Sequence, residues 1–280
     1  MGGTVERMRI MVTNDDGIDS VGLHVLARAM RAHGDVTIVA PDKEYSGAGA
    51  AVGALHQIQP EVHETRVDGI DVSWAVSGPP ALCVMFAGLG AFGDPFDLIV
   101  SGINPGSNVG RSVYHSGTVG AALTGRLRGI SGVAVSQAVD DWGVEGQGWD
   151  DVLDKQCWDS AAEIASTVVG GLVASPPLEP VVINLNVPNR PVAEIAGWRL
   201  AQVGSGPPRS MASVDLEPKA GHAGSYRVQM SWGEPMPLDP ATDGGSIMDN
   251  RVAVSWLSHL THQEPIGDGG IIAALDQLFG

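Results

Sequence analysis

The sequence predicts an α/β chain: a doubly wound, mostly parallel sheet to about residue 190, followed by a β-rich extension. Three observations carry this. Short apolar runs at Arg9–Thr13, Val36–Ala40 and Asp97–Val100 lack alternation, as strands buried on both faces do. Segments with helical spacing lie between such runs. Beyond about Pro188, alternating segments and turns succeed one another without a helical pattern. A chain of 280 residues, 44% of them hydrophobic, is long enough for one large α/β domain with an appendage.

In order, Arg9–Thr13 is a buried strand ended by the turn signal Asn14-Asp15-Asp16-Gly17. Gly22–Ala32 places Leu23, Leu26, Ala27 and Met30 on one helical face. Val36–Ala40 is a second strand, closed by Pro41, which completes a βαβ unit and implies parallel pairing. The Gly, Ala and Ser of residues 42–54 read as a long loop. Val72, Trp74 and Val76 alternate like a half-exposed strand. Pro80 can start a helix through Leu82, Cys83, Phe86 and Leu89. After the strand Asp97–Val100, Ser101–Tyr114 reads as a Gly/Asn/Ser loop, Gly117–Arg128 as a helix, and Val133–Ser136 as a strand. A longer helix is expected over Asp151–Val173, and the last central strand at Val181–Leu185. Turns are expected at residues 204–208, 233–235 and 242–245, and strands around Tyr226–Met230 and Val252–Trp256. Gly269–Phe279 can form a short terminal helix.

Composition excludes several classes. The formal charge is −16, from 32 acidic and 16 basic residues, which repels nucleic acid polymers at long range. The same field repels a phosphorylated small molecule, and a bound cation is the simplest compensation. No uninterrupted apolar stretch is long enough for a membrane span, and the N-terminus has no apolar leader core. Cys83 and Cys157 are too few for a disulfide framework and read as buried free thiols, so a cytoplasmic location is expected.

Ligands of open parallel sheets bind outside the carboxyl ends of the strands. Three polar loops follow such ends here: Asn14–Gly17, Pro41–Gly47 and Ser101–Gly110. Adjacent carboxylates at Asp15 and Asp16 repel unless a cation or proton lies beside them, and hard oxygen donors suit Mg²⁺, Mn²⁺ or Ca²⁺. Taken alone, the dipeptide reads more readily as a helix-capping turn. Asn104 and Asn108 sit among glycines at every fourth position, which allows close backbone approach to a ligand or simply a long loop. Ser116-Gly117-Thr118 opens a helix and can bind an anion, cap the helix, or both. His115 can protonate a leaving oxygen or serve as a plain loop residue. No dinucleotide glycine fingerprint, P-loop or nucleophile elbow is present. Asp15-Asp16 also lacks the spacing of an Asp-x-Asp phosphatase.

These pieces come together in one resemblance. Asn14-Asp15-Asp16-Gly17-Ile18, Val39-Ala40-Pro41-Asp42 with Ser46-Gly47, Ser101-Gly102-Ile103-Asn104 through Asn108, Ser116-Gly117-Thr118-Val119, Asn184-Leu185-Asn186-Val187-Pro188 and Thr242-Asp243 occur in that order. In this the chain resembles the SurE (survival protein E) family of 5′-nucleotidases and metal-dependent phosphatases. The resemblance implies a Rossmann-like, three-layer α/β/α catalytic core over residues 1–190. It also implies an extension over 191–280 used to form a homodimer or homotetramer.

It further implies one divalent cation per subunit, Mg²⁺ or Mn²⁺ with Ca²⁺ also able to occupy the site, on Asp15, Asp16, Ser46 and Asn104. Phosphate contacts map to Asn108, Ser116, Gly117 and Thr118. Asp15 or Asp16 would orient the attacking water, and His115 would serve the leaving group. The implied reaction converts a nucleoside monophosphate or related phosphorylated metabolite to an alcohol and phosphate. The alternatives are a biosynthetic phosphatase for a non-nucleotide metabolite and a silent metal- or nucleotide-binding homologue. Three positions depart from the pattern. Leu82 stands where the family has an acidic residue in a motif expected near the leaving group. His115 stands where the family commonly has Tyr, and the loop from Ser46 to Gln57 is Ala/Gly-rich.

Overall fold

A computed structural model describes residues 7–53, 55, 59–140, 152–206, 211–234, 236–258 and 269–279. Asp151, Gln57, Pro207, Pro208 and Pro235, which entered the expectations above, lie outside the described residues.

The strands among the described residues are β1 (Arg9–Thr13), β2 (Asp35–Pro41), β3 (Val62–Thr65), β4 (Val72–Val76), β5 (Leu98–Pro105), β6 (Ser131–Gln137), β7 (Val182–Val187), β8 (Trp198–Leu200), β9 (Met211–Pro218), β10 (Tyr226–Trp232) and β11 (Val252–Leu257). The α-helices are α1 (Val21–Met30), α2 (Pro80–Gly88), α3 (Gly117–Leu127), α4 (Trp158–Ala174), α5 (Asp243–Met248) and α6 (Gly269–Phe279). Nine strands form one sheet in the order β3-β4-β2-β1-β5-β6-β7-β11-β8. From β4 through β7 every neighbouring pair is parallel. This is the mostly parallel, doubly wound core expected from the apolar runs.

Side-chain alternation along the strands divides the core between two faces. Ile10 and Val12 of β1, with Ile38 and Val100, pack against Leu23, Leu26 and Met30 of α1 and Ala161, Ala165 and Val169 of α4. Met11, Val39, Val76 and Ile99 face the opposite way, against Cys83, Val84 and Ala87 of α2 and Ala121 of α3. Burial on both faces explains why β1, β2 and β5 read as continuous apolar runs.

Several elements differ from the sequence reading, β8 and β9 among them, which it did not contain. The edge strand β3 has no counterpart there; it pairs antiparallel with β4, and three of its four residues are exposed, so no apolar pattern marks it. β5 does not stop at Val100 but runs to Pro105, with a register irregularity between Ser101 and Asn104 against β6. The helix expected from Asp151 is interrupted: Val152 and Leu153 are helical, but the long helix α4 begins at Trp158. Asn189 accepts from the Cys157 N–H and donates to the Lys155 carbonyl, and Gln137 donates to the Cys157 carbonyl, which fixes a break in the chain there. The turn expected at 242–245 is the start of α5, capped by Thr242, whose hydroxyl accepts from Gly245 N–H at 3.1 Å.

The residues beyond 190 divide in two. β11 returns to the main sheet antiparallel to β7, and β8 adds a parallel edge strand beside it. β9 and β10 form a separate antiparallel hairpin, on which Val214, Leu216, Tyr226, Val228 and Met230 are exposed.

Candidate active site

The strand order reverses between β1 and β5: β2 and β4 lie to one side, β6 and β7 to the other. The crevice at such a switch point is where an open parallel sheet binds ligands. A cavity of about 600 Å³ opens there. Asp15 and Asp16 reach it from the end of β1, Ser46 from the loop after β2, Asn104 from the end of β5, and Asn108, His115 and Ser116 from the connection to α3. Glu44, Gly47, Pro105 and Ser112 complete the lining. Glu44 was missed because a lone Glu in a polar loop carries no local signal.

Asp15 is almost wholly buried and is held from α3, more than a hundred residues away. Thr118 Oγ1 donates to its Oδ1 at 2.5 Å, and Gly117 N–H donates to its Oδ2 at 3.1 Å. Burial raises the Asp15 pKa, and these hydrogen bonds oppose the rise. Gly117 also leaves the space the carboxylate needs, since a Cβ there would come within 2.7 Å of the Asp15 side chain. Gly117 and Thr118 are not among the residues that line the cavity; they face the Asp15 carboxylate. The Gly117 N–H and the Thr118 hydroxyl, expected to contact phosphate, are both engaged by Asp15 here.

Asp16 has the opposite surroundings. Its Oδ2 is buried and has no hydrogen-bond partner among the described residues. Burial first, then the Asp15 and Glu44 carboxylates, push its pKa well above the usual carboxylate range. A buried, unpaired carboxylate oxygen is costly unless something positive compensates it.

The neutral side chains have divided duties. Asn104 donates Nδ2 to the Gly106 carbonyl at 2.6 Å, and its side-chain oxygen has no hydrogen-bond partner among the described residues. Asn108 donates Nδ2 to Ser136 Oγ and keeps a second amide hydrogen. Its backbone is clamped by Asn186, which accepts from its N–H, and by Asn184 and Asn186, which both donate to its carbonyl. Ser116 caps α3 by accepting from Val119 N–H at 3.1 Å and retains its own hydroxyl proton. Buried Asp243 ties the loop to the far end of the chain, accepting from Gly110, Gly204 and Gly244 N–H groups. Of the residues departing from the family pattern, His115 lines the cavity and is exposed. Leu82 is fully buried in α2 and does not line it, so that departure does not alter this lining.

The donor set fits a hard divalent cation. It is all oxygen, it contains two carboxylates, and one buried carboxylate oxygen is unpartnered. Among the described residues no group of three or more His, Cys, Asp or Glu is arranged to hold a metal, so a hydroxyl and an amide would have to complete the site. Among the described residues no Lys or Arg lines the cavity.

Residues 10–209 match the model of the family described as Survival protein SurE. A protein of Stenotrophomonas maltophilia (strain K279a) named 5′-nucleotidase SurE is 31% identical over 277 residues, covering 96% of this chain and 99% of that protein. A protein of Rhodopirellula baltica with the same name is 40% identical over 183 residues, covering 65% and 66%. The crystal structure of the Sure protein from Aquifex aeolicus superposes with a TM-score of 0.73 at 25% identity, covering 97% of this chain and all of that one.

Proposed function

This chain belongs to the SurE family, and we propose that its strand-end cavity is the active site of a metal-dependent phosphomonoesterase that splits a nucleoside monophosphate into nucleoside and phosphate. One observation carries the reading. Asp15, Asp16 and Glu44 line the cavity with no Lys or Arg among the described lining residues, so a bound cation is what would offset their charge toward an anionic phosphate. The relatives named 5′-nucleotidase supply the substrate class.

Asp15, Asp16, Ser46 and Asn104 would hold one Mg²⁺ or Mn²⁺ per subunit. The cation would supply positive charge at the phosphoryl group and lower the pKa of a water beside it. Thr118 and Gly117 keep Asp15 in one orientation, so its charge is fixed before substrate arrives. Asp16, with its free oxygen, accepts a proton or a water hydrogen on the same side. The second amide hydrogen of Asn108 and the Ser116 hydroxyl donate to phosphoryl oxygens. His115, at the exposed side of the cavity, is the group assigned to protonate the leaving oxygen.

The same reading takes residues 1–190 as the catalytic unit and 191–280 as the part that assembles a homodimer or homotetramer. It places the protein in the cytoplasm, in keeping with two free thiols. No helix among the described residues is long and apolar enough to cross a membrane.

The test is phosphate release from nucleoside monophosphates with Mg²⁺ or Mn²⁺ and with chelator. Metal-dependent release, lost by orders of magnitude in Asp16→Asn, is the expected result. Release that survives both the chelator and Asp16→Asn would overturn the assignment.

A further inference from the structure

A second pocket opens directly beside the metal-site cavity and shares Asp16, Glu44 and Pro105 with it. Its remaining walls come from two elements distant in sequence. Asp19, Ser20 and Val21 stand at the start of α1, while Leu153 and Trp158 stand around the break that precedes α4. Its volume is about 290 Å³, near the lower limit of about 300 Å³ for small-molecule sites, so it suits one ring system with a short polar arm.

We propose that this pocket holds the nucleoside half of the substrate, with the base against Trp158 and the ribose hydroxyls on Asp19 and Ser20. The inference rests on the phosphomonoesterase reading above and deepens it. Trp158 is half-buried and packed against the core, and its ring sits on Gly22, where a Cβ would come within 2.9 Å of it. Packing against Gly22 and the core restrains the ring where it lines the pocket, which lowers the ordering cost of an aromatic contact with a base. Ser20 occupies the N-cap position of α1, yet its side chain makes no capping hydrogen bond. Its hydroxyl, and the exposed Asp19 carboxylate, have no side-chain partner among the described residues, and both line the pocket. A carboxylate accepts from vicinal hydroxyls, which a sugar offers and a simple alkyl ester does not. Among the described residues no Lys or Arg lines either cavity, which favours a monophosphate over a di- or triphosphate.

The experiment compares wild type, Trp158→Ala, Trp158→Phe, Ser20→Ala and Asp19→Asn on AMP, dAMP and glycerol 2-phosphate with Mn²⁺. The ratio of kcat/KM for AMP over glycerol 2-phosphate is expected to fall about tenfold or more in Trp158→Ala, mainly through KM, and to return largely in Trp158→Phe. Ser20→Ala and Asp19→Asn narrow the preference for AMP over dAMP. An unchanged ratio, or equal losses on both esters, overturns the proposal. Adenosine binding, measured by calorimetry without metal or turnover, keeps the two readings apart. If no ester is cleaved, the phosphatase reading fails. The pocket assignment then stands only if adenosine binds wild type and binds Trp158→Ala at least about tenfold more weakly, and it falls if adenosine does not bind.

Discussion

Replacing Thr118 with Val removes one hydroxyl from a fully buried position and keeps the side-chain shape. The hydroxyl donates to Asp15 Oδ1 at 2.5 Å, and Gly117 N–H donates to Oδ2 from the same helix start. A hydrogen bond to a charged group is worth about 1.5–3 kcal/mol, and a buried carboxylate oxygen left alone costs at the upper end of that range. For a domain of this size, about 2 °C of Tm accompanies each kcal/mol, so metal-free Thr118→Val should melt about 3–6 °C lower. The functional effect follows from the same bond. It opposes the rise in the Asp15 pKa caused by burial. Without it the pKa rises further, a cation must displace a more tightly held proton, and metal binding weakens most at the acid side of neutrality. A lost partner of a metal-binding carboxylate typically costs about 10–100-fold in metal affinity. Titration of activity with Mn²⁺ at pH 6 and pH 8 measures this, with Thr118→Ser as the variant that restores the bond. If Thr118 instead held the phosphate, substrate KM would rise at saturating metal while metal affinity stayed put. That outcome would refute a Thr118 hydroxyl committed to Asp15.

Asp16→Asn should raise the stability of the metal-free protein by about 1 kcal/mol at neutral pH while abolishing turnover, a trade common at active sites. The Asp16 pKa is raised in the folded state, so its charge destabilises the fold above the unfolded-state range near about 4; the advantage of Asn should shrink as pH falls toward that range, as thermal melts in chelator would show. Asp243→Ala strips three backbone N–H groups of their buried acceptor and should cost about 3 kcal/mol or more in urea unfolding, with Asp243→Asn recovering part. Burial pushes the Cys83 thiol far up, so iodoacetamide at pH 8 should modify half-buried Cys157 first and Cys83 only on unfolding, as peptide mass mapping would reveal.

Local pattern alone determined the central strands, the helices between them, and the loops at which carboxylates and amides collect. Each of these depends on residues within one or two turns of chain, where apolar spacing and turn chemistry report directly on burial. What pairs with what was settled only by tertiary packing. Thr118 and Asp15 lie 103 positions apart, and nothing in Ser116-Gly117-Thr118 distinguishes a donor aimed at a carboxylate from one aimed at a phosphate. Leu82 looked like a change in the site and is a core residue. The break before α4 depends on Asn189, just past β7, and Gln137 of β6 reaching across, and β11 enters the sheet by antiparallel pairing that its alternation could not assign to a partner. The pocket beside Asp16 likewise exists only because the start of α1 meets that break. Periodicity says which face of an element is buried; only the assembled fold says against what.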